Sequence, residues 1–263
     1  SSDNIKVISA SIENVDSYAA CLDENTTIVH LAALTGKAHP KEYFTINTNG
    51  TRILIDAAMS AGVKGFLFVS SIAVSFKDRR GYFYAESKER AENILRDSGL
   101  KFCIVRPTII LGEGSPIWNS FNSLAKSSRI ILPGNGNARI QPIYDNDIVR
   151  LLLEIVDSER FEGEVLELGG PDVLTINDFV KRIHKAHTGG VPRLTHLPLG
   201  FIVGSLRLVE KVFPSLLPVN SGQFASFSND GTAVGNSLVM AASGNMRSID
   251  NIIELLVGNN GNA

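Results

Sequence analysis

Short apolar runs alternate with longer amphipathic stretches along most of the chain. Gly65–Val69 reads GFLFV, an uninterrupted apolar run of strand length, as expected when both faces of a strand are buried. Thr27–Ala33 (TIVHLAA) and Lys101–Arg106 (KFCIVR) have the same character, and Pro107 stops the latter. Ile5–Ser9 (IKVIS) is a shorter β-rich run, and Glu164–Leu168 is a further strand. Between these runs the apolar spacing turns helical. It predicts helices over Ile12–Leu22, with Asn14 at the cap, over Pro40–Gly62, closed by Gly62, and over Tyr84–Ser98, closed by Gly99. Two more follow at Asp145–Val156 and Thr175–His187, the second opened by the capping pair Thr175 and Asp178. Strand and helix in regular alternation, with short loops between them, predict an α/β fold with a parallel sheet covered by helices.

Beyond Val191 the prolines at 192, 198, 214 and 218 cut the pattern into short pieces, and Gly258–Ala263 reads as a frayed tail. The expected organisation is a sheet-forming core over residues 1–165 and a smaller irregular lobe mainly over 166–263, with sheet and lobe segments interleaved. With 44% hydrophobic and 20% charged residues in 263, the chain can bury a large core. A net charge of −2 and the lack of any Lys/Arg block argue against nucleic acid as a partner. Cys21 and Cys103 are too few for a disulfide framework. With no membrane span and no signal peptide in the sequence, the expected location is cytoplasmic.

The candidate chemistry centres on Tyr84-Ala85-Glu86-Ser87-Lys88. Four residues apart on a helix, a phenol and an ammonium share one face. A nearby cation favours phenolate and is expected to lower the tyrosine pKa, making Tyr84 a usable acid/base for hydroxyl/carbonyl interconversion. Ser70 and Ser71 directly follow GFLFV, at the carboxyl edge of a parallel sheet, where open α/β sheets bind ligands. Ser71 is thereby placed to hydrogen-bond the oxygen whose proton Tyr84 moves. His30 lies in an apolar strand and is read as packed and hydrogen-bonded rather than catalytic. Asn47, inside a helix, is read as holding the neighbouring strand-loop.

These segments, taken in order, resemble the extended short-chain dehydrogenase/reductases. The segments are TIVHLAA, NTNGT at 47–51, GFLFVSS, YAESK, RPTIILG at 106–112, QPIYDNDIV at 141–149 and LELGGPDVLT at 167–175. The resemblance covers roughly residues 5 to 187. It implies a Rossmann-like doubly wound sheet and NAD or NADP as cofactor, with no metal. Tyr84 is then the catalytic acid/base, Lys88 the holder of the nicotinamide ribose, and Ser71 the residue orienting the reacting oxygen. Ala32 and Ala33 would lie along the cofactor, and Pro107 and Thr108 near the nicotinamide. Arg139, one residue off the family's register against Asp147, is read either as a contact to a substrate phosphate or as a simple loop arginine. The implied substrate is a nucleotide-activated sugar, with a hydroxysteroid-like alcohol second. The stretch LPLGFIVGSLRLVEKVF at 197–213 resembles the branch nearest the respiratory complex I accessory subunit and bacterial sugar-epimerase-like proteins. The rival reading is a non-catalytic nucleotide-binding or assembly protein that keeps the fold, for which the lack of a glycine-rich phosphate loop would argue if Ser1 were the true start. A homodimer through the two helices at 40–62 and 84–98 is also implied.

The sequence departs from the family pattern at its start. The family opens with a strand, a glycine-rich turn and a helix whose N-terminus holds the cofactor pyrophosphate. Here IKVIS matches the third family strand, and Ser11 stands where an aspartate beside the adenine is usual. The expectation is that Ser1 is not the natural start and that a glycine-rich segment precedes it. The alternative is that IKVIS pairs directly with TIVHLAA. The residues that separate NAD from NADP would lie in the part that has no counterpart here.

Overall fold

The unbroken apolar runs become one parallel sheet in the computed structural model, which describes residues 5–202, 221–235, 238–239 and 243–259. Its strands are β1 (Thr27–His30), β2 (Gly65–Val69), β3 (Phe102–Pro107) and, much later in the chain, β8 (Glu162–Leu168), side by side in the order β1-β2-β3-β8. The register runs from Thr27 opposite Gly65 to His30 opposite Phe68, then from Phe66 opposite Phe102 to Val69 opposite Val105. Between β3 and β8 lie the shorter β4 (Ile110–Leu111), β5 (Arg129–Pro133), β6 (Arg139–Ile140) and β7 (Ile143–Tyr144). β9 (Leu174–Thr175) and β10 (Arg193–Leu197) follow, with β10 parallel to β5 and β9 antiparallel to β6.

Helices cover both faces of the sheet. The connection from β1 to β2 is one continuous helix in three parts: α1 (Pro40–Tyr43), a π-helical stretch at Phe44–Gly50, and α2 (Thr51–Ala61). It opens with a capping box in which His39 Nδ1 accepts from Lys41 N–H and Glu42 accepts from His39 N–H. It ends on Gly62, whose φ of +64° supplies the left-handed cap expected there. α3 (Phe83–Arg96) joins β2 to β3, and it packs with α2 on Ile28, Phe66, Phe68 and Ile104. On the other face, α5 (Asp145–Asp157) seats Ile148, Leu151 and Ile155 on Leu67, Cys103, Val105 and Leu166. Each large side chain so buried contributes about 1.5–3 kcal/mol. Gly65 opens β2 because a Cβ there would lie 2.4 Å from the Phe161 ring.

A second core lies beside the sheet. α4 (Pro116–Ala125), α6 (Ile176–Thr188) and α7 (Ile249–Asn259) pack around Trp118, Phe121, Phe179, Ile183, Ile252 and Leu256. The packing therefore does not change at residue 165. Residues 111–140 belong to the second core, while Ile143–Leu168 returns to the sheet, because α4 finds its apolar partners on α6.

The amino-terminal readings need correction. Ile5–Ala10 forms no strand, neither paired with β1 nor with any other described residue, and its side chains are exposed. A strand without a neighbour leaves its backbone groups unpaired, so the run stays irregular. The helix expected over 12–22 is two 3-10 turns, Val15–Ser17 and Ala19–Cys21. Residue 258, expected in a frayed tail, lies in the last turn of α7. Most of the 197–213 stretch lies outside the described residues. No helix among the described residues is long and apolar enough to cross a membrane.

Candidate active site

The carboxyl ends of β1, β2 and β3 open onto one cavity of about 370 Å³. Leu31, Ala33, Ser70, Ser71, Tyr84, Pro107 and Thr108 line it. Five residues singled out in the sequence thus meet here: Ala33, Ser71, Tyr84, Pro107 and Thr108. Ala32, one residue before Ala33, is exposed and does not line the wall. Ser71 caps the 3-10 turn Ile72–Ser75 by accepting from Ala73 N–H at 3.2 Å, and it shares the cavity wall with Tyr84. Thr108 faces the cavity, but its Oγ1 donates to the Gln141 carbonyl.

The electrostatics of Tyr84 run opposite to the expected direction. Tyr84 keeps some surface toward the cavity, but protein packs densely round its phenol and pushes the pKa above 10, with the nearby Ser71 hydroxyl pulling the other way. Lys88 is only 1% exposed. Its Nζ donates to the Val69 carbonyl at 2.8 Å and lies 4.1 Å over the Phe68 ring. Burial brings the Lys88 pKa down to about 7, with Glu92 pulling the other way. The Lys88 ammonium, turned to the Val69 carbonyl and the Phe68 ring, does not offset the desolvation of the phenol.

Several contributors were not evident from the sequence. Tyr43 and Tyr82 flank Tyr84, with ring centroids 6.4 and 5.9 Å away. Glu92 is fully buried one helical turn beyond Lys88. Its carboxylate accepts from Ser70 Oγ at 2.6 Å, from Arg106 at 2.9 and 2.6 Å, and from Arg96 at 2.8 Å. These donors hold its pKa below the usual carboxylate range despite burial. The Tyr84/Lys88 spacing, extended by one more turn, would have pointed to Glu92.

Asn47 sits in the π-helical stretch and grips the loop after β1 through both amide atoms. Oδ1 accepts from Leu34 N–H at 2.7 Å, and Nδ2 donates to the Leu34 carbonyl at 3.1 Å and to Ser87 Oγ at 3.0 Å. His30 is packed: its Nε2 is 2.8 Å from Thr51 Oγ1 and its ring stacks on Phe68. Arg139 lies outside the cavity, and its guanidinium is engaged by Asp230 at 2.8 and 3.0 Å.

The cavity wall suits the nicotinamide end of a dinucleotide. It combines the small Ala33, the rigid Pro107 and the polar Ser71 and Tyr84, whereas Lys88 does not line the cavity and reaches only the carbonyl of the lining residue Val69. Before β1 the described residues hold only 3-10 turns and irregular chain, so they supply no helix N-terminus for the pyrophosphate.

A family model described as NAD(P)H-binding matches residues 1–118. A UDP-glucose 4-epimerase from Vibrio cholerae is 32% identical over 182 residues, 59% of this chain and 55% of that protein. A 3 beta-hydroxysteroid dehydrogenase/Delta 5-->4-isomerase from Mycobacterium tuberculosis is 28% identical over 214 residues, 69% of this chain and 58% of that protein. The chain therefore spans little more than half the length of these curated relatives. Among solved structures, a nucleoside-diphosphate-sugar epimerase from Staphylococcus aureus superposes with a TM-score of 0.73 at 16% identity, covering 95% of this chain and 84% of that one, a likeness of fold. The parallel sheet, the NAD(P)H-binding match over residues 1–118 and these relatives together support an extended short-chain dehydrogenase/reductase fold for this chain.

Proposed function

We propose that this chain is the catalytic part of an NAD(P)-dependent oxidoreductase or epimerase acting on a hydroxyl or carbonyl, with Tyr84 as the acid/base. The observation that carries the reading is that Ser71 and Tyr84 meet in the wall of one cavity at the carboxyl edge of the sheet. A bound nicotinamide would supply the hydride donor or acceptor. Ala33, Pro107 and Thr108 would flank it, and Lys88 would meet its ribose from below. Ser71 holds the reacting oxygen, and Tyr84 passes its proton to that oxygen or takes one from it. Because burial raises the Tyr84 pKa, the phenol stays protonated at neutral pH. The resting site is then set for carbonyl reduction, and alcohol oxidation should speed up as pH rises.

A nucleotide-activated sugar as substrate is supported by the likeness to the Vibrio epimerase. Arg139, the intended phosphate contact, is a weaker part of that reading because Asp230 occupies its guanidinium. The Ser71/Tyr84/Lys88 set favours an enzyme over the assembly-protein alternative. Titration with NADH and NADPH, followed by nicotinamide fluorescence, tests the proposal. Saturable binding that Ala33→Trp weakens is the expected result. Binding unaffected by that substitution would place the nicotinamide elsewhere and end this account of the site.

A further inference from the structure

The short turn that presents Ser71 is pinned at both ends. At its start, Ser70 Oγ donates to Glu92 at 2.6 Å and Ser70 N–H to the Val105 carbonyl at 2.7 Å. At its end, Ser75 meets side chains from two other strands. Its Oγ donates to Glu167 Oε1 of β8 at 2.6 Å and accepts from Arg106 Nη1 of β3 at 3.1 Å. Arg106 joins the two ends, because its Nε and Nη2 also bond Glu92. Within the turn, Ser71 Oγ accepts from Ala73 N–H at 3.2 Å, and the Ser71 carbonyl accepts from Val74 N–H at 3.1 Å.

Glu167 is itself held from a third direction, since its Oε2 accepts from Val234 N–H at 2.9 Å. The carboxylate is thereby fixed between the turn and the later segment of the chain, with its side chain only 14% exposed. Hydrogen bonds to an ionised group are shorter and more directional than neutral ones. Ile72, Ala73 and Phe76 already seat the body of the turn in an apolar cluster. Such packing is non-directional, so it sets where the turn lies but not how Ser71 is aimed. Ser75 is exposed and buries no apolar surface, and neither Ser75 nor Glu167 lines the cavity. What the Glu167–Ser75 bond does for the site therefore passes through Ser71, which a working site must hold to within about 0.5 Å.

We propose that Glu167 is a positioning residue: through Ser75 it fixes the turn that aims Ser71 at the reacting oxygen. This rests on the reading that Ser71 orients that oxygen, whereas the hold on the turn does not depend on it.

The experiment compares Ser75→Ala, Glu167→Ala, the double variant and Ser75→Thr, which keeps the hydroxyl. Amide hydrogen exchange is read at Ala73 and Val74, whose N–H groups bond Ser71, and at Leu67 and Phe68 in β2 as the folding control. Exchange at Ala73 and Val74 should be about tenfold faster in each alanine variant and no faster in the double than in the faster single. Ser75→Thr should return it to the parental rate, and the β2 control should stay constant throughout. Should Glu167→Ala fail to fold, Glu167→Gln takes its place with an expected change of about threefold, because only one of its two end atoms accepts. UDP-glucose and NAD serve as the kinetic probe, with NADH formation followed by fluorescence. There kcat should fall about tenfold in the alanine variants with both KM values within roughly twofold, and Ser75→Thr should restore it, a split that general loosening of the fold would not give. Parental exchange in both alanine variants, or effects that add in the double, overturns the proposal. The expected exchange with kcat unchanged supports the hold on the turn and counts instead against Ser71 as the residue that orients the oxygen. A parent protein without UDP-glucose turnover counts against the functional reading, and the exchange rates then decide the proposal.

Discussion

Replacing Glu92 by Gln removes one charge from the most heavily bonded buried side chain near the site. The native carboxylate has no exposed surface and accepts from Ser70, Arg106 and Arg96. The substituted amide would fill the same space and could still accept from Ser70, but Arg106, with a side chain only 18% exposed, would lose its close anionic partner. Breaking a buried ion pair from one side costs about 3–5 kcal/mol. The lower end applies here, because Glu167 remains 3.8 Å from Arg106 and Arg96 is partly solvated. The expected loss is therefore about 3 kcal/mol, or roughly 6–12 °C in Tm for a chain of this size. Urea unfolding followed by circular dichroism measures it, with Arg96→Ala as the outer-arm control at about 1 kcal/mol or less. The sign with pH is also fixed. Glu92 has a depressed pKa in the folded state, so its contribution is present above the unfolded carboxylate pKa and is lost as pH falls through the folded one. The gap between parent and variant should therefore close in acid. A Glu92→Gln protein as stable as its parent near pH 7 would refute the reasoning.

Two further outcomes follow from the packing. Burial and the Lys88 charge bring the His30 pKa from 6.5 to about 3. Between those values the unfolded chain binds a proton that the folded chain refuses, so stability should fall as pH drops through that window, by on the order of 3–5 kcal/mol in total. Urea midpoints against pH should show this slope, and His30→Gln should flatten it. A Cβ on Gly170 would lie 2.0 Å from the Pro142 carbonyl oxygen, where only backbone can give way. Gly170→Ala should thus cost roughly 1–3 kcal/mol, read by calorimetry.

The sheet was legible in the sequence because its central strands are buried on both faces. GFLFV and KFCIVR carry no polar alternation, and each is followed by residues that line the cavity, Ser70 and Ser71 after one and Pro107 after the other. Tyr84 and Lys88 were legible because helical spacing fixes their common face. What spacing does not carry is the degree of burial, and burial reversed the expected direction of the Tyr84 pKa. Glu92, Arg96 and Arg106 read in sequence as ordinary charges on a helix and a strand end. Only the fold brings them together with Ser70. Arg139 had the right chemistry for a phosphate, but its partner Asp230 is ninety-one positions away. In α7 the apolar residues Ile249, Ile252, Ile253 and Leu256 have helical spacing, which the glycines and asparagines of the tail obscure. The π-helical stretch that turns Asn47 toward Leu34 has no signature in residue type.

The central claim is that Tyr84 moves the proton that accompanies hydride transfer. Its most direct test compares the protein with Tyr84→Phe in nicotinamide affinity and in NAD(P)H-dependent turnover. The account predicts that turnover falls by about 10²–10⁴ while nicotinamide affinity stays within roughly twofold, since only the hydroxyl is removed. Turnover at the parental rate in Tyr84→Phe would contradict it.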